Sequence, residues 1–179
     1  MLHPLQSSIY QTKSLFFSTA VATFYAPSNL CGTGRMCCEH IHAVTSWRCS
    51  KPQHECVFIN TNELKPGMHG LSVAQVRLFF SVTLKCAKYP CALVHWYSLV
   101  GDSPNENTGM WVIEQDILDN RKPWTAVIHL DSILHLAHLL PVYGDKQAPR
   151  DMKHTDTLDI FEEFYVNKFT DNHAFEIAF

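Results

Sequence analysis

The sequence predicts an α+β fold that is mainly β: a small, bent antiparallel sheet, or an SH3-like or BAH-like barrel of about five strands, with flanking C-terminal helices. Three observations carry this. The stretch "VRLFFSVTLKCAKYPCALVHWYSL", residues 76–99, alternates apolar and polar residues, breaks once near its middle and alternates again, as a long hairpin does. Loops rich in Gly, Pro, Asn and Asp separate it from shorter apolar runs on both sides. Beyond Asp131 the apolar spacing changes from two residues to three or four.

Taken in order, the first 38 residues contain no Asp or Glu and include the apolar "SLFFSTAVATFYA" just before Pro27. That composition has features of a transit or signal peptide, but only Lys13 supplies a positive charge ahead of the apolar run. Residues 1–50 are therefore expected to be a loosely ordered lead-in that docks a few aromatics on one β-rich domain, residues 51–179. Cys56 to Ile59 make a strand before the turn-forming "NTNELKPGMHG". In the hairpin, Val76, Leu78, Phe80, Val82 and Leu84 share one face, with Phe79 an apolar exception on the other. The chain turns at "KCAK". Its return strand is expected to be central, because both of its faces carry large residues, and Pro90 suits a strand start or edge. Cys91, mid-strand, is expected to be a small buried hydrophobe.

"MWVIEQ" and "WTAVIHLD" read as two further strands, each preceded by a polar loop. Asp131 then caps a predicted helix over "SILHLAHL", with Ile133, Leu136, Ala137 and Leu140 as its inner stripe and Pro141 as its stop. A last helix is predicted from Thr155 or Asp156 through "LDIFEEFYVNKF", on the spacing of Leu158, Phe161 and Tyr165.

Composition excludes several classes. A formal net charge of −3 is not that of a domain whose main task is to neutralise phosphates. No run approaches eighteen consecutive apolar residues, so no membrane span is expected. The 7 cysteines contain no C-x-x-C pair, and adjacent Cys37 and Cys38 serve one tetrahedral ion poorly, so free thiols in a reducing compartment are expected. There is no G-x-S-x-G, no P-loop and no H-E-x-x-H. Among the 11 histidines, His135 and His138 would share one face of the predicted helix and are candidate metal ligands, but they lack a third ligand in register. Solvent-facing or hydrogen-bonded histidines are the simpler reading, and no cofactor is expected. Tyr89, Trp96 and Tyr97 of "YPCALVHWY" are the candidate binding residues, as an aromatic groove for a peptide or modified lysine. The alternative for Trp96 is a place in the core.

Seven strings in order, "FYAPSNLCGTGRM", "CVFINTN", "RLFFSV", "YPCALVHWY", "GDSPNENTGMWVI", "VIHLDSILHLAHLLPVYG" and "FYVNKFTDNHAFEIAF", resemble the C-terminal portion of Plavaka-type transposases, mobile-element proteins abundant in mushroom-forming fungi. The resemblance runs from about Phe24 to Phe179. It implies a non-catalytic accessory module, because the family's RNase H-like nuclease domain lies upstream of this region. The implied roles are docking on the catalytic domain, self-assembly, or weak contact with DNA or chromatin, in the nucleus and without a membrane. No catalytic residue is implied.

The family pattern has Arg where this chain has Cys37, Cys38, His40, His42, His69, Gln75 and His135. Arg codons that contain CpG become Cys, His or Gln codons by single C-to-T changes, the way methylated repeats decay. Five arginines remain, Arg35, Arg48, Arg77, Arg121 and Arg150, and the chain is expected to be a degenerate fragment whose contact face around residues 35–48 has weakened. Two alternatives stand beside this one. One is a stand-alone chromatin- or peptide-binding module built on the aromatic strand, nuclear or cytoplasmic. The other is a metal-dependent hydrolase using His135, His138 and Asp131.

Overall fold

In the computed structural model, which describes residues 13–26, 33–46, 52–144, 151–152 and 156–179, the predicted hairpin is the spine of the molecule. Strands β1 (Lys13–Phe17), β2 (Thr19–Tyr25), β3 (Met36–Val44), β4 (Gln53–His54) and β5 (Cys56–Asn60) precede it. The hairpin itself is β6 (Leu71–Leu84) and β7 (Ala87–Leu99), joined through Lys85 and Cys86, both at positive φ (48° and 67°). A two-residue turn with both central residues left-handed matches the right-handed twist of the strands it joins. After it come β8 (Val112–Gln115), β9 (Thr125–His129), β10 (Ile133–Leu136), β11 (Leu139–Pro141), the one-turn helix α1 (Thr157–Ile160), β12 (Glu163–Val166) and α2 (Asn172–Ala178).

The fold is α+β and mainly β, as expected: a curled antiparallel sheet with a small helical contribution near the C-terminus. Each long strand serves two partners along its outer edge. Beyond β7, β6 pairs with β5 over Leu71–Gln75 and with β1 over Phe79–Thr83. Similarly, β7 pairs with β9 over Cys91–His95 and with β8 over Tyr97–Leu99. From this spine the sheet continues through β5 to β10 on one side, and through β8 to β12 and β11 on the other. Strands β2, β3 and β4 form a second, three-stranded sheet.

Both faces of the spine are buried. Val57, Ile59, Ala74, Val76, Phe79, Ala92 and Val94 pack under the small sheet, against Ala22, Ile41 and Ala43. Cys56, Phe58, Val73 and Tyr97 lie on the opposite face, among Trp111, Ile113, Phe164 and Val166. Phe58, Phe79 and Phe164 are almost fully buried, and each such ring contributes about 1.5–3 kcal/mol by leaving water.

Several sequence expectations are corrected. Residues 13–25 and 36–44 of the expected lead-in form β1, β2 and β3; their β-branched and aromatic residues pair against β6 and against each other. Phe79 is no exception. A bulge at Arg77 puts one extra residue into β6 between Val76 and Leu78, so Phe79 joins Val76 on the buried face while Leu78 and Phe80 turn to the other. Cys91 is half-buried rather than buried.

The helix predicted after Asp131 is instead the pair of strands β10 and β11. An isolated helix of that length is marginal, whereas the exposed edge of β5 offers backbone groups that β10 satisfies. "LDIFEEFYVNKF" likewise yields one helical turn and then β12, which fills the place between β8 and β11 with Phe164 and Val166 pointing to the core. The helix α2 was not anticipated. It is capped by Asp171, whose side chain accepts from the Ala174 backbone N–H at 2.8 Å.

The turn is a place where the sequence departs from its geometry, since neither Lys nor Cys favours positive φ. Replacing Lys85 by Asn and Cys86 by Gly should raise stability by about 1–2 kcal/mol, read as a higher urea midpoint at unchanged slope. A lower midpoint would show that the turn residues contribute contacts that outweigh their strain.

Candidate functional site

The aromatic strand does not make a groove. Tyr89 is exposed near the hairpin tip, opposite Val82, and Trp96 is seven residues further along the same strand, roughly 23 Å away at ~3.3 Å per residue. Trp96 packs at the edge of the core under the small sheet, its ring 6.2 Å from that of Trp124. Tyr97, its neighbour, points to the opposite core, edge-on to Phe164 at 6.1 Å, where burial pushes its phenol pKa up. Successive side chains on a strand face opposite ways, so Trp96 and Tyr97 cannot line one pocket.

His135 and His138 also part company. His138 is exposed between β10 and β11, while His135 is 1% exposed within β10. A bulge at Leu134 shifts the register of β10 against β5, from Ile133 opposite Ile59 to His135 opposite Phe58. Bulges re-aim side chains in this way. The ring of His135 is enclosed by Phe24 at 4.6 Å, Phe58 at 6.4 Å and His173 at 5.0 Å between centroids. Asp131 stays outside, with an 86% exposed side chain 3.4 Å from His129.

What His135 meets instead are two carboxylates from distant parts of the chain. Glu39 comes from β3, on the side of that strand that also carries Ile41 and Ala43 toward the core. Asp171 is the cap of α2. The Nε2 atom of His135 lies 3.5 Å from Glu39 Oε1 and 3.7 Å from Asp171 Oδ2. The other oxygen of each carboxylate is committed to backbone: Glu39 Oε2 accepts from the Leu136 N–H at 3.2 Å, and Asp171 Oδ1 from the Ala174 N–H at 2.8 Å. His135 Nδ1 lies 2.6 Å from the Leu136 carbonyl oxygen. A carbonyl can only accept, so Nδ1 carries a hydrogen, and the Nε2 edge of the ring faces both carboxylates.

One imidazole nitrogen and two carboxylate oxygens thus converge within 4.8 Å of one another. Such a set attracts a cation. Among the described residues it is the one His, Cys, Asp and Glu group close enough to hold a metal ion. Sequence reasoning found His135 and missed the other two, because no local spacing links them. The available signals were Glu39 as the first acidic residue of the chain, within an alternating strand, and the capping spacing of Asp171 to Ala174.

A second polar feature is a cleft of about 590 Å³ inside the curl, lined by Gln75, Arg77, His95, Gln115, Asp159 and Phe161. Buried Gln75 donates to the His54 carbonyl and accepts from Arg77. Burial first, and then the Arg77 guanidinium, lower the pKa values of His54 and His95; neighbouring His95 lowers that of His54 further, against a smaller opposing effect of Asp159.

Compared with known proteins, the chain matches no family model, no curated protein and no solved structure. No helix among the described residues is long and apolar enough to cross a membrane.

His54 and His95 set a pH dependence. Their folded pKa values lie below the ordinary 6.5, so the unfolded chain binds protons more readily than the folded one as pH falls. Stability from these groups is present above about pH 6.5 and lost as the pH drops through and below that value. The expected result is a melting temperature that falls between about pH 7 and pH 5, with a shallower fall in His95→Gln. An identical pH profile in His95→Gln would remove this histidine from the effect.

Proposed function

We propose that the chain is a non-catalytic accessory module of the kind found at the C-terminal end of Plavaka-type transposases, in a degenerate copy that has lost several arginines. Within a full-length protein its work would be docking on the catalytic domain or self-assembly, with weak contact to DNA or chromatin, in the nucleus. The ordered set of sequence strings motivates this reading. The observation that carries it is the surroundings of His135.

If position 135 once held Arg, its guanidinium would have faced Glu39 and Asp171, whose oxygens now converge on an imidazole at 3.5 and 3.7 Å. Those distances are longer than the ~2.7–2.9 Å of a charge-assisted bond, as expected where a larger, forked cation has been replaced by a smaller ring. Other positions of the set lend the same support. His42 sits 3.2 Å from Glu55, and His69 meets the Trp111 ring edge-on at 5.3 Å, where a guanidinium would stack. Cys38 and His40 lie on the exposed side of β3, opposite Thr23 and Val21, on an outward face suited to phosphate contacts before the arginines were lost.

The alternative, a stand-alone chromatin or peptide reader, rested on Tyr89, Trp96 and Tyr97, which the fold disperses. The hydrolase alternative rested on His135, His138 and Asp131, which it also separates.

Two experiments test the reading. Sequencing genomic DNA upstream of the Met1 codon, with the 5′ end of the transcript, should reveal a nuclease-domain reading frame, intact or broken; a promoter with a transcript starting just before Met1 would overturn it. On the protein, His135→Arg should raise the melting temperature by about 4–8 °C, corresponding to about 1.5–3 kcal/mol for restored charged hydrogen bonds. A drop of similar size would show a site shaped for imidazole. The chain should bind duplex DNA feebly, and Cys38→Arg with His40→Arg should tighten binding and steepen its dependence on log salt by about 0.9 per arginine. No change in that slope would remove β3 from the contact face.

A further inference from the structure

Whatever residue preceded His135, the present side chains have their own chemistry. We infer that Glu39, His135 and Asp171 bind one divalent transition-metal ion, zinc being the best fit, and that the ion latches β3, β10 and α2 together.

The separations support this first. Ligand atoms at ~2.0–2.1 Å from a tetrahedral zinc ion stand about 3.3–3.4 Å apart. The distances from His135 Nε2 to Glu39 Oε1 and Asp171 Oδ2, 3.5 and 3.7 Å, are close to that edge length. They are too long for a proton shared directly between nitrogen and oxygen, which would draw the pair to ~2.7–2.9 Å. The spacing is that of ligand atoms around one ion.

Each ligand, moreover, is already oriented by a partner behind it. His135 gives its Nδ1 hydrogen to the Leu136 carbonyl, and each carboxylate rests one oxygen on a backbone N–H, Leu136 for Glu39 and Ala174 for Asp171. Metal-binding histidines and carboxylates are typically held in this manner, which fixes the tautomer and aims the free lone pairs. The imidazole donor disfavours magnesium and calcium, which take oxygen ligands.

A third, independent observation lies beside the cluster. The Nδ1 atom of His173 is buried with no hydrogen-bond partner, and its ring stacks on Phe24 at 4.3 Å with its centroid 5.0 Å from that of His135. An orphaned buried nitrogen needs an explanation. A metal-bound water in the fourth position would supply the missing partner. Glu39 belongs to the small sheet, His135 to the edge of the large sheet and Asp171 to the last helix, so one ion would join three elements that backbone pairing does not connect directly.

The test uses the full chain, stripped with a chelator and kept reduced, titrated calorimetrically with zinc and spectroscopically with cobalt(II). The expected result is one saturable site of micromolar or tighter affinity, visible bands of tetrahedral cobalt, a melting temperature raised by several degrees, and slower amide exchange in α2. Glu39→Gln and Asp171→Asn should each lower affinity at least tenfold. The second of these retains the helix cap, because Asn caps as well as Asp, so loss of folding will not mask its effect. His138→Gln should change nothing. Absence of saturable binding would overturn the inference, as would affinity indifferent to both carboxamide variants. An intense thiolate-to-cobalt band would also overturn it, by assigning the ion to cysteines.

Discussion

The antiparallel pairing of β6 with β7 is the interaction on which the other elements depend. It runs from Val73 opposite Tyr97 to Leu84 opposite Ala87, closed by the left-handed turn at Lys85 and Cys86. Because the two strands are much longer than their neighbours, each outer edge accommodates two partners in succession, and every strand of the large sheet is anchored to the hairpin directly or through one or two intermediates. The bulge at Arg77 is part of this design. Without it the phase of β6 would be continuous, and Phe79 would be carried away from the face that it shares with Val76.

Burying both faces of one sheet leaves little room for polar groups, and several of those that remain inside are held by specific partners. Glu55 accepts from the His42 backbone N–H at 2.6 Å and from the Gln53 side chain at 2.9 Å, which binds the small sheet to the start of β5. Glu39 and His135 make a comparable connection further along, between β3 and β10. The difference is one of charge. Glu55 is well supplied with donors, whereas the oxygens of Glu39 and Asp171 that face His135 share one ring nitrogen, at 3.5 and 3.7 Å. That imbalance underlies both proposals about the site: an arginine would have neutralised it in an intact relative, and a metal ion would neutralise it in this chain.

The two proposals answer different questions. One concerns where the chain comes from and rests on sequence strings together with the carboxylates around His135. The other concerns what the present side chains can hold and rests on distances and hydrogen bonds alone. A fragment of a mobile-element protein can acquire a metal site when a guanidinium gives way to imidazole, because two oriented carboxylates already supply most of the coordination shell.

The sequence by itself determined the class and the spine. Strict alternation over residues 76–99, polar turns between apolar runs, and the strands at Cys56–Ile59, "MWVIEQ" and "WTAVIHLD" are local signals, and local signals are what a linear reading can use. Only the tertiary structure decided the rest. "ILHL" and "EFYV" are too short to announce their period, and they became strands because β5 on one side, and β8 and β11 on the other, had edges to fill. Tyr89, Trp96 and Tyr97 looked like one site because they are near in sequence, yet the pleat and the length of β7 scattered them. Glu39, His135 and Asp171 looked unrelated because no spacing connects them. They meet because a strand of the small sheet, a bulged edge strand and a helix cap close on the same point, and that convergence is a property of the folded chain alone.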